Sequence, residues 1–274
     1  MSEFQYYEFQ AVDRPLTRLE IAELRKYSTR ARITPTSFVN DYQWGNFKGN
    51  QDVWMERYFD AFLYLANWGT HILSFRLSTA SLKATTARSY CRGGSATTRT
   101  RGGHAVLTFV SETDEGDELC ETEGQLASMI SIRSELARGD ARALYLGWLL
   151  RLQSGELGDD ELEPAVPAGL GALSGAQQAM AEFLRIDDAL LATAAEHSPP
   201  VPRRTLKRAD IDRRVHELPL REKEKALADY IAGKPSALQR LQDAVLGSTP
   251  SGLGGGGAPR RTAGQITRAA GLSL

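Results

Sequence analysis

The apolar positions of the first third of the chain fall into short runs separated by polar punctuation. Phe4, Tyr6, Tyr7, Phe9 and Val12 predict an opening strand with both faces partly buried. Pro15 and Thr17 then begin a helix. Thr17 with Glu20 fits the capping box, in which the threonine hydroxyl takes an orphan backbone N–H and the glutamate reaches back to the cap. Leu16 with Ile21 fits the apolar staple around it, and Leu19, Ile21, Leu24 and Tyr27 supply an apolar face. Ile33 to Tyr42 reads as extended because Pro35 disfavours helix at Thr34. Trp44 to Gly49 reads as a glycine-bounded loop. Asp52 to Phe62 predicts a helix offering Val53, Tyr58, Phe59 and Phe62 for burial. Tyr64 to Trp68 leads to a break at Gly69, and His71 to Leu77 alternates as a strand.

The pattern then weakens. Ser81 to Tyr90 predicts a short helix, Arg92 to Gly103 a loop, His104 to Val110 a strand and Ser111 to Gly124 an acidic connection. Two helices follow, Gln125 to Arg138 and Asp140 to Gln153, the second carrying Leu144, Trp148 and Leu152 on one stripe. Gly155 to Gly171 is a connector, and Ser174 to Leu184 and Asp187 to Ala195 are helical. Ser198-Pro-Pro-Val-Pro202 is a stiff linker. Beyond it lie three short amphipathic helices, Ala209 to Leu218, Leu220 to Ile231 and Pro235 to Leu246, and then a Gly/Ser/Pro-rich stretch whose composition predicts disorder. The expected fold class is α+β. It comprises a mixed strand/helix domain over 1–198, a linker over 199–204, a small all-α module over 205–246 and a disordered tail over 247–274.

Charge and cysteine content narrow the classes. Lys and Arg number 33 against 34 Asp and Glu, so no overall field draws the chain to nucleic acid or to an anionic membrane. Cys91 and Cys120 are too few for a disulfide framework, and the first ten residues lack the basic and apolar regions of a signal peptide. A reduced, cytoplasmic protein is expected. The longest apolar stretch, Phe59 to Leu77, is interrupted by Asp60, Asn67, His71 and Arg76 and falls short of the about 20 apolar residues that span a bilayer, so no membrane association is expected.

Signatures of chemistry are missing. His71, His104, His197 and His216 are far apart in sequence and no zinc-type spacing occurs, so no metal is expected; His71 and His104 fall near predicted strands that could bring them together. The acidic run from Glu112 to Glu123 has Gly116 out of frame for a calcium loop. Gly169-Leu-Gly171 lacks a preceding strand, and no phosphate-cradling loop or nucleophile elbow exists, so no cofactor is expected. Cys91 with His104 is a formal nucleophile pair without a local signature.

Two features remain. From Arg32 to Gly49, Phe38, Tyr42, Trp44 and Phe47 are interleaved with polar residues, a pattern that serves a core, a protein-docking hot spot or a base-stacking platform. From Arg203 to Lys225 nine basic residues are diluted by five acids. The candidate binding residues are Tyr42, Trp44, Asn46, Lys48, Trp68, Arg213 and Arg214; no catalytic residue stands out.

Four longer blocks carry a resemblance. They are Tyr6-Tyr-Glu-Phe-Gln-Ala-Val-Asp-Arg-Pro-Leu16, Ile33-Thr-Pro-Thr-Ser-Phe-Val39, Tyr58-Phe-Asp-Ala-Phe-Leu-Tyr-Leu-Ala-Asn-Trp-Gly69 and Asp140-Ala-Arg-Ala-Leu-Tyr-Leu-Gly-Trp-Leu149. With them the chain resembles an uncharacterised family of bacterial cytoplasmic proteins, which implies the compartment and no substrate. Ser78 to Thr100 and the tail after Gly247 match that family poorly. The expected role is a non-enzymatic protein-interaction component of a bacterial intracellular assembly, with a protein partner. Alternatives are a nucleic-acid-binding protein, using the 203–225 helices and the 32–49 loop, and an enzyme with an unrecognised site.

Overall fold

A computed structural model describes residues 4–114, 116, 123–200, 208–231, 245 and 260–272 of the chain. Its centre is a seven-stranded antiparallel sheet, formed by β1 (Gln5–Gln10), β2 (Arg32–Ile33), β3 (Ser37–Tyr42), β4 (Ala61–Ala66), β5 (His71–Ser78), β6 (Ala96–Arg101) and β7 (His104–Ser111) in the order β2-β3-β1-β4-β5-β7-β6. The helices are α1 (Arg18–Arg25), α2 (Gln51–Arg57), α3 (Ala84–Arg88), α4 (Gln125–Met129), α5 (Ile132–Ala137), α6 (Arg142–Gln153), α7 (Gly175–Phe183), α8 (Asp188–Ala195), α9 (Arg208–Glu217), α10 (Leu220–Ile231) and α11 (Ala263–Ala269). The fold is α+β.

The sheet is covered on both faces, and side-chain alternation sorts its residues into two cores. Tyr7, Phe9, Phe38, Phe62 and Tyr64 point to the side of α1 and α2, where Trp54 and Phe59 complete an aromatic core. Tyr6, Leu63, Leu65, Leu73, Phe75, Leu107 and Phe109 point to the other side, against α4 to α8. Helix α6 is buried all round from Ala143 to Leu152, as befits a helix apolar on every face that lies between the sheet and an outer helix. Gly147 makes this close approach workable: a Cβ there would stand 2.9 Å from Cys91 Sγ, tighter than van der Waals contact allows.

Several expectations are met in detail. Thr17 and Glu20 form the capping box of α1, and Leu16 is buried behind it. The strands β1, β5 and β7 lie where alternation places them, and α6 to α10 follow the predicted spans closely. Others need correction. The helix expected through Phe62 stops at Arg57, because Ala61–Ala66 is a central strand buried on both faces, whose unbroken apolar run hides its period. The loop expected over Arg92 to Gly103 contains β6, an edge strand of alternating Thr and Arg with a half-polar exposure typical of edges. The helix expected over Gln125 to Arg138 is broken into α4 and α5 around Ile130 and Ser131.

The C-terminal stretch also departs from expectation. Residues 246–259 and the third predicted module helix, apart from Val245, lie outside the described residues. Arg260–Leu272, expected as tail, is ordered and carries α11, with Ala263 and Ile266 buried in the larger core. No helix among the described residues is long and apolar enough to cross a membrane.

Candidate docking surface at one end of the sheet

Gln5 sits opposite both Tyr42 on β3 and Ala66 on β4, so these three residues form one row at the same end of the sheet. The loop carrying Trp44 leaves that row from β3. The turn carrying Trp68 leaves it from β4, two strands or about 10 Å across.

Each loop is fixed from below. The Gln5 side chain is buried; its Nε2 donates to Gly45 O (3.1 Å) and to Asn46 Oδ1 (3.3 Å), while its Oε1 accepts from the hydroxyls of Tyr7 (2.7 Å) and Tyr64 (3.3 Å). Burial, followed by the neighbouring phenol, pushes the Tyr7 hydroxyl well above the ordinary tyrosine range, which keeps it a donor. Phe47 turns inward and stacks on Tyr7 at 4.8 Å between ring centroids, with its edge contact to Trp54 also at 4.8 Å. Tyr42 is half-buried, edge-on to Tyr7 at 5.6 Å. The β4–β5 turn is held by Asn67, whose Oδ1 accepts from Phe4 N (3.0 Å), and by Gly69, which adopts φ +94° with its carbonyl accepting from Thr113 N.

Trp44 is left outside. It is 72% exposed, with the Arg30 guanidinium 5.3 Å from its ring centroid; Trp68 is 43% exposed. Asn46 and Lys48 are exposed beside Trp44. The aromatic loop thus divides: Phe47 belongs to the core, Tyr42 straddles the boundary, and Trp44 faces solvent. The acidic connection begins at this end too, since Ser111 ends β7 opposite His71; Asp114 and Glu123 are exposed, and Glu123 pairs with Arg32 at 2.6 Å.

The basic candidates Arg213 and Arg214 lie on α9. Arg213 pairs within α9 with Asp210 (3.1 Å), and Arg214 Nη1 donates to Val245 O (3.4 Å). Arg208 is bound to Asp212 (2.9 Å) and Lys223 Nζ to His216 O (2.8 Å), so these cations are largely engaged within the helical pair; Arg203, Arg204 and Lys207 lie outside the described residues.

Cys91 is fully buried, and burial pushes its thiol up to about 12, far from a nucleophile's range. His104 starts β7, whereas the Cys91 sulfur adjoins Phe109 near the strand's other end, so the pair is not assembled. His71 and His104 stand at opposite ends of the β5–β7 ladder, roughly 23 Å apart.

A cleft of about 510 Å³ lies between β7 and the C-terminal end of α6, lined by Ser95, Ser111, Gln153 and Glu156 among others. Its polar groups hold one another. Glu156 accepts from Gly94 N (3.0 Å), Ser95 Oγ (2.7 Å) and Arg151 Nε (3.3 Å). Burial alone would raise this carboxyl, but those donors overbalance it and hold it below the usual carboxylate range. A carboxylate so fastened is a poor carrier of protons near neutrality.

No known protein family, no curated protein and no solved structure matches the chain. The resemblance carried by the four sequence blocks therefore gains no family from these comparisons.

Proposed function

We propose that the chain is a non-enzymatic protein-binding component that docks a partner on the end of the sheet bearing Trp44 and Trp68. The observation that carries this reading is the exposure of Trp44 on a loop already immobilised by Gln5 and Phe47. A large ring presented without further ordering loses little entropy on binding, which is what interface hot spots require. The resemblance in the sequence blocks favours a bacterial intracellular assembly as its setting.

Nucleic-acid binding receives less support, since Arg208 and Arg213 are paired with carboxylates of their own helix, α9. A photocrosslinking residue at position 46, exposed beside Trp44, would identify the neighbour in cells. The purified neighbour should then bind the full chain at least tenfold more tightly than a Trp44→Ala/Trp68→Ala variant of unchanged fold. Equal affinity for both proteins would refute the reading, and salt-sensitive retention of nucleic acid by both would replace it.

A further inference from the structure

The ordered C-terminal segment meets the body as a peptide meets a receptor. Arg260 Nε donates to Glu163 O (2.7 Å), Glu163 N to Arg261 O (2.8 Å), and Leu162 bridges Thr262 in antiparallel register. Ala263 N and Gly264 N then donate to Glu161 O (2.8 Å) and Asp159 O (3.1 Å). This is strand-like main-chain recognition along residues 159–163.

Specific side chains sit on that frame. Glu163 is buried, and its carboxylate takes Arg261 in a two-pronged pair, Nη2 to Oε1 at 2.8 Å and Nε to Oε2 at 3.0 Å. The Tyr145 hydroxyl of α6 donates to the same Oε1. The remaining guanidinium nitrogen donates to Thr193 O (2.9 Å) and to His197 Nδ1 (2.9 Å), at the C-terminal end of α8. Arginine can only donate, so His197 Nδ1 is an acceptor here. Past the pair, Thr262 caps α11 with Gln265, and Ala263 and Ile266 fill an apolar recess. Gly264 packs closely on the exposed Asp159 side chain: a Cβ would stand 2.8 Å from Asp159 Cγ and would displace it.

Seven residues are too few for a helix to hold itself, so α11 owes its shape to the surface under it. The other end of the intervening stretch is fastened nearby: Gly169 N donates to Pro199 O (2.8 Å) and Ser198 Oγ to Pro167 O (2.7 Å). With His197 and Arg261 in contact, the chain enters and leaves the part of the sequence that carries α9 and α10 at one place on the body.

We propose that the groove formed by residues 159–163, α6 and α8 is a binding site for an arginine-bearing peptide, filled in cis by Arg260–Leu272. The segment is an exchangeable ligand, and its departure undoes the His197–Arg261 contact. Recognition rests on the guanidinium fork: lysine at 261 offers a single point charge and cannot span both oxygens of Glu163.

The test uses the full chain with a site-specific protease sequence inserted between Gly255 and Gly256. After cleavage the C-terminal fragment is expected to co-elute with the body at 10 μM in the sense of about micromolar affinity or better. A fluorescent synthetic peptide of residues 258–274 should exchange into the cleaved protein. Arg261→Ala in the peptide should weaken competition at least tenfold, and Arg261→Lys should fall between. The peptide variants leave the body untouched, so the outcome does not depend on whether a Glu163→Gln body folds. Separation of the native fragment on cleavage, equal competition by native and Arg261→Ala peptides, or no exchange over days would each overturn the proposal.

Discussion

Arg76 places both Nε (3.1 Å) and Nη2 (2.6 Å) on a single oxygen of Asp60, which leaves the other oxygen for the backbone N–H groups of Val12 (2.7 Å) and Asp13 (2.8 Å). Arg133 of α5 adds a second cation to the cluster and pairs with Asp13 (3.0 Å). One buried carboxylate thus ties the exit of β1, the entry of β4, the strand β5 and the far helical layer. Burial alone would raise the Asp60 carboxyl; the Asp13 N–H, Arg133 and Arg76 overbalance it and hold it below the usual range.

Because the folded value lies below the unfolded one, near 3.9, the stabilisation from Asp60 is complete above about pH 4 to 5 and is lost as pH falls through the folded value. Asp60→Asn should cost about 3 kcal/mol at pH 7, since it removes the carboxylate facing part-buried Arg76 and buried Arg133. The same variant should flatten the acid limb of a stability–pH curve measured by urea unfolding.

Gln5→Ala removes the acceptor of two buried tyrosine hydroxyls and the clip on the Trp44 loop at once. A loss of about 1–3 kcal/mol is expected. The sharper readout is Trp44 itself: in a chain with Trp44 as the sole tryptophan, Gln5→Ala should lower its fluorescence anisotropy, while distant Cys91 stays protected.

Of the four tryptophans, Trp54 and Trp148 are buried and Trp44 and Trp68 are exposed. Acrylamide should therefore quench a distinct fraction of the emission. Replacing Trp44 and Trp68 with Phe should leave a blue-shifted, quencher-resistant spectrum. Trp44→Ala should cost under about 1 kcal/mol in stability, the scale of the Arg30 contact it removes.

Gly147→Ala sets two effects against each other. Alanine is the better helix former by about 1 kcal/mol, but its methyl meets the Phe109 ring and the Cys91 sulfur. Both neighbours are buried and cannot withdraw, so a net loss of about 1–3 kcal/mol is expected from the denaturation midpoint.

How legible the fold was in the sequence depended on how local its cause is. The capping box at Thr17 and the alternation in His71 to Leu77 are short-range signals, and both elements form as read. The strand β4 was missed because burial on two faces erases the period that would announce it, and the preceding Asp52 to Arg57 segment does form a helix. The strand β6 was missed for the opposite reason: its Thr and Arg side chains carry an edge preference that only pairing with β7 reveals. The candidate surface was half legible. The composition of residues 42–48 marked the loop, but which ring turns inward was fixed by Gln5, forty residues away and unremarkable in sequence. The C-terminal socket was illegible, since Arg261 reads as tail until buried Glu163 is placed beside it.

The position of β1 has a consequence for synthesis. It is the middle partner of β3 and β4, so Gln5 must find both Tyr42 and Ala66 before both of its edges are satisfied. At elongation rates of about 5–20 residues per second the roughly sixty residues to β4 take about 3–12 s to emerge, long compared with chain collapse. A newborn chain therefore carries an aromatic strand with at least one open edge for that interval, and it is during translation, more than in the finished protein, that shielding by a chaperone would matter most.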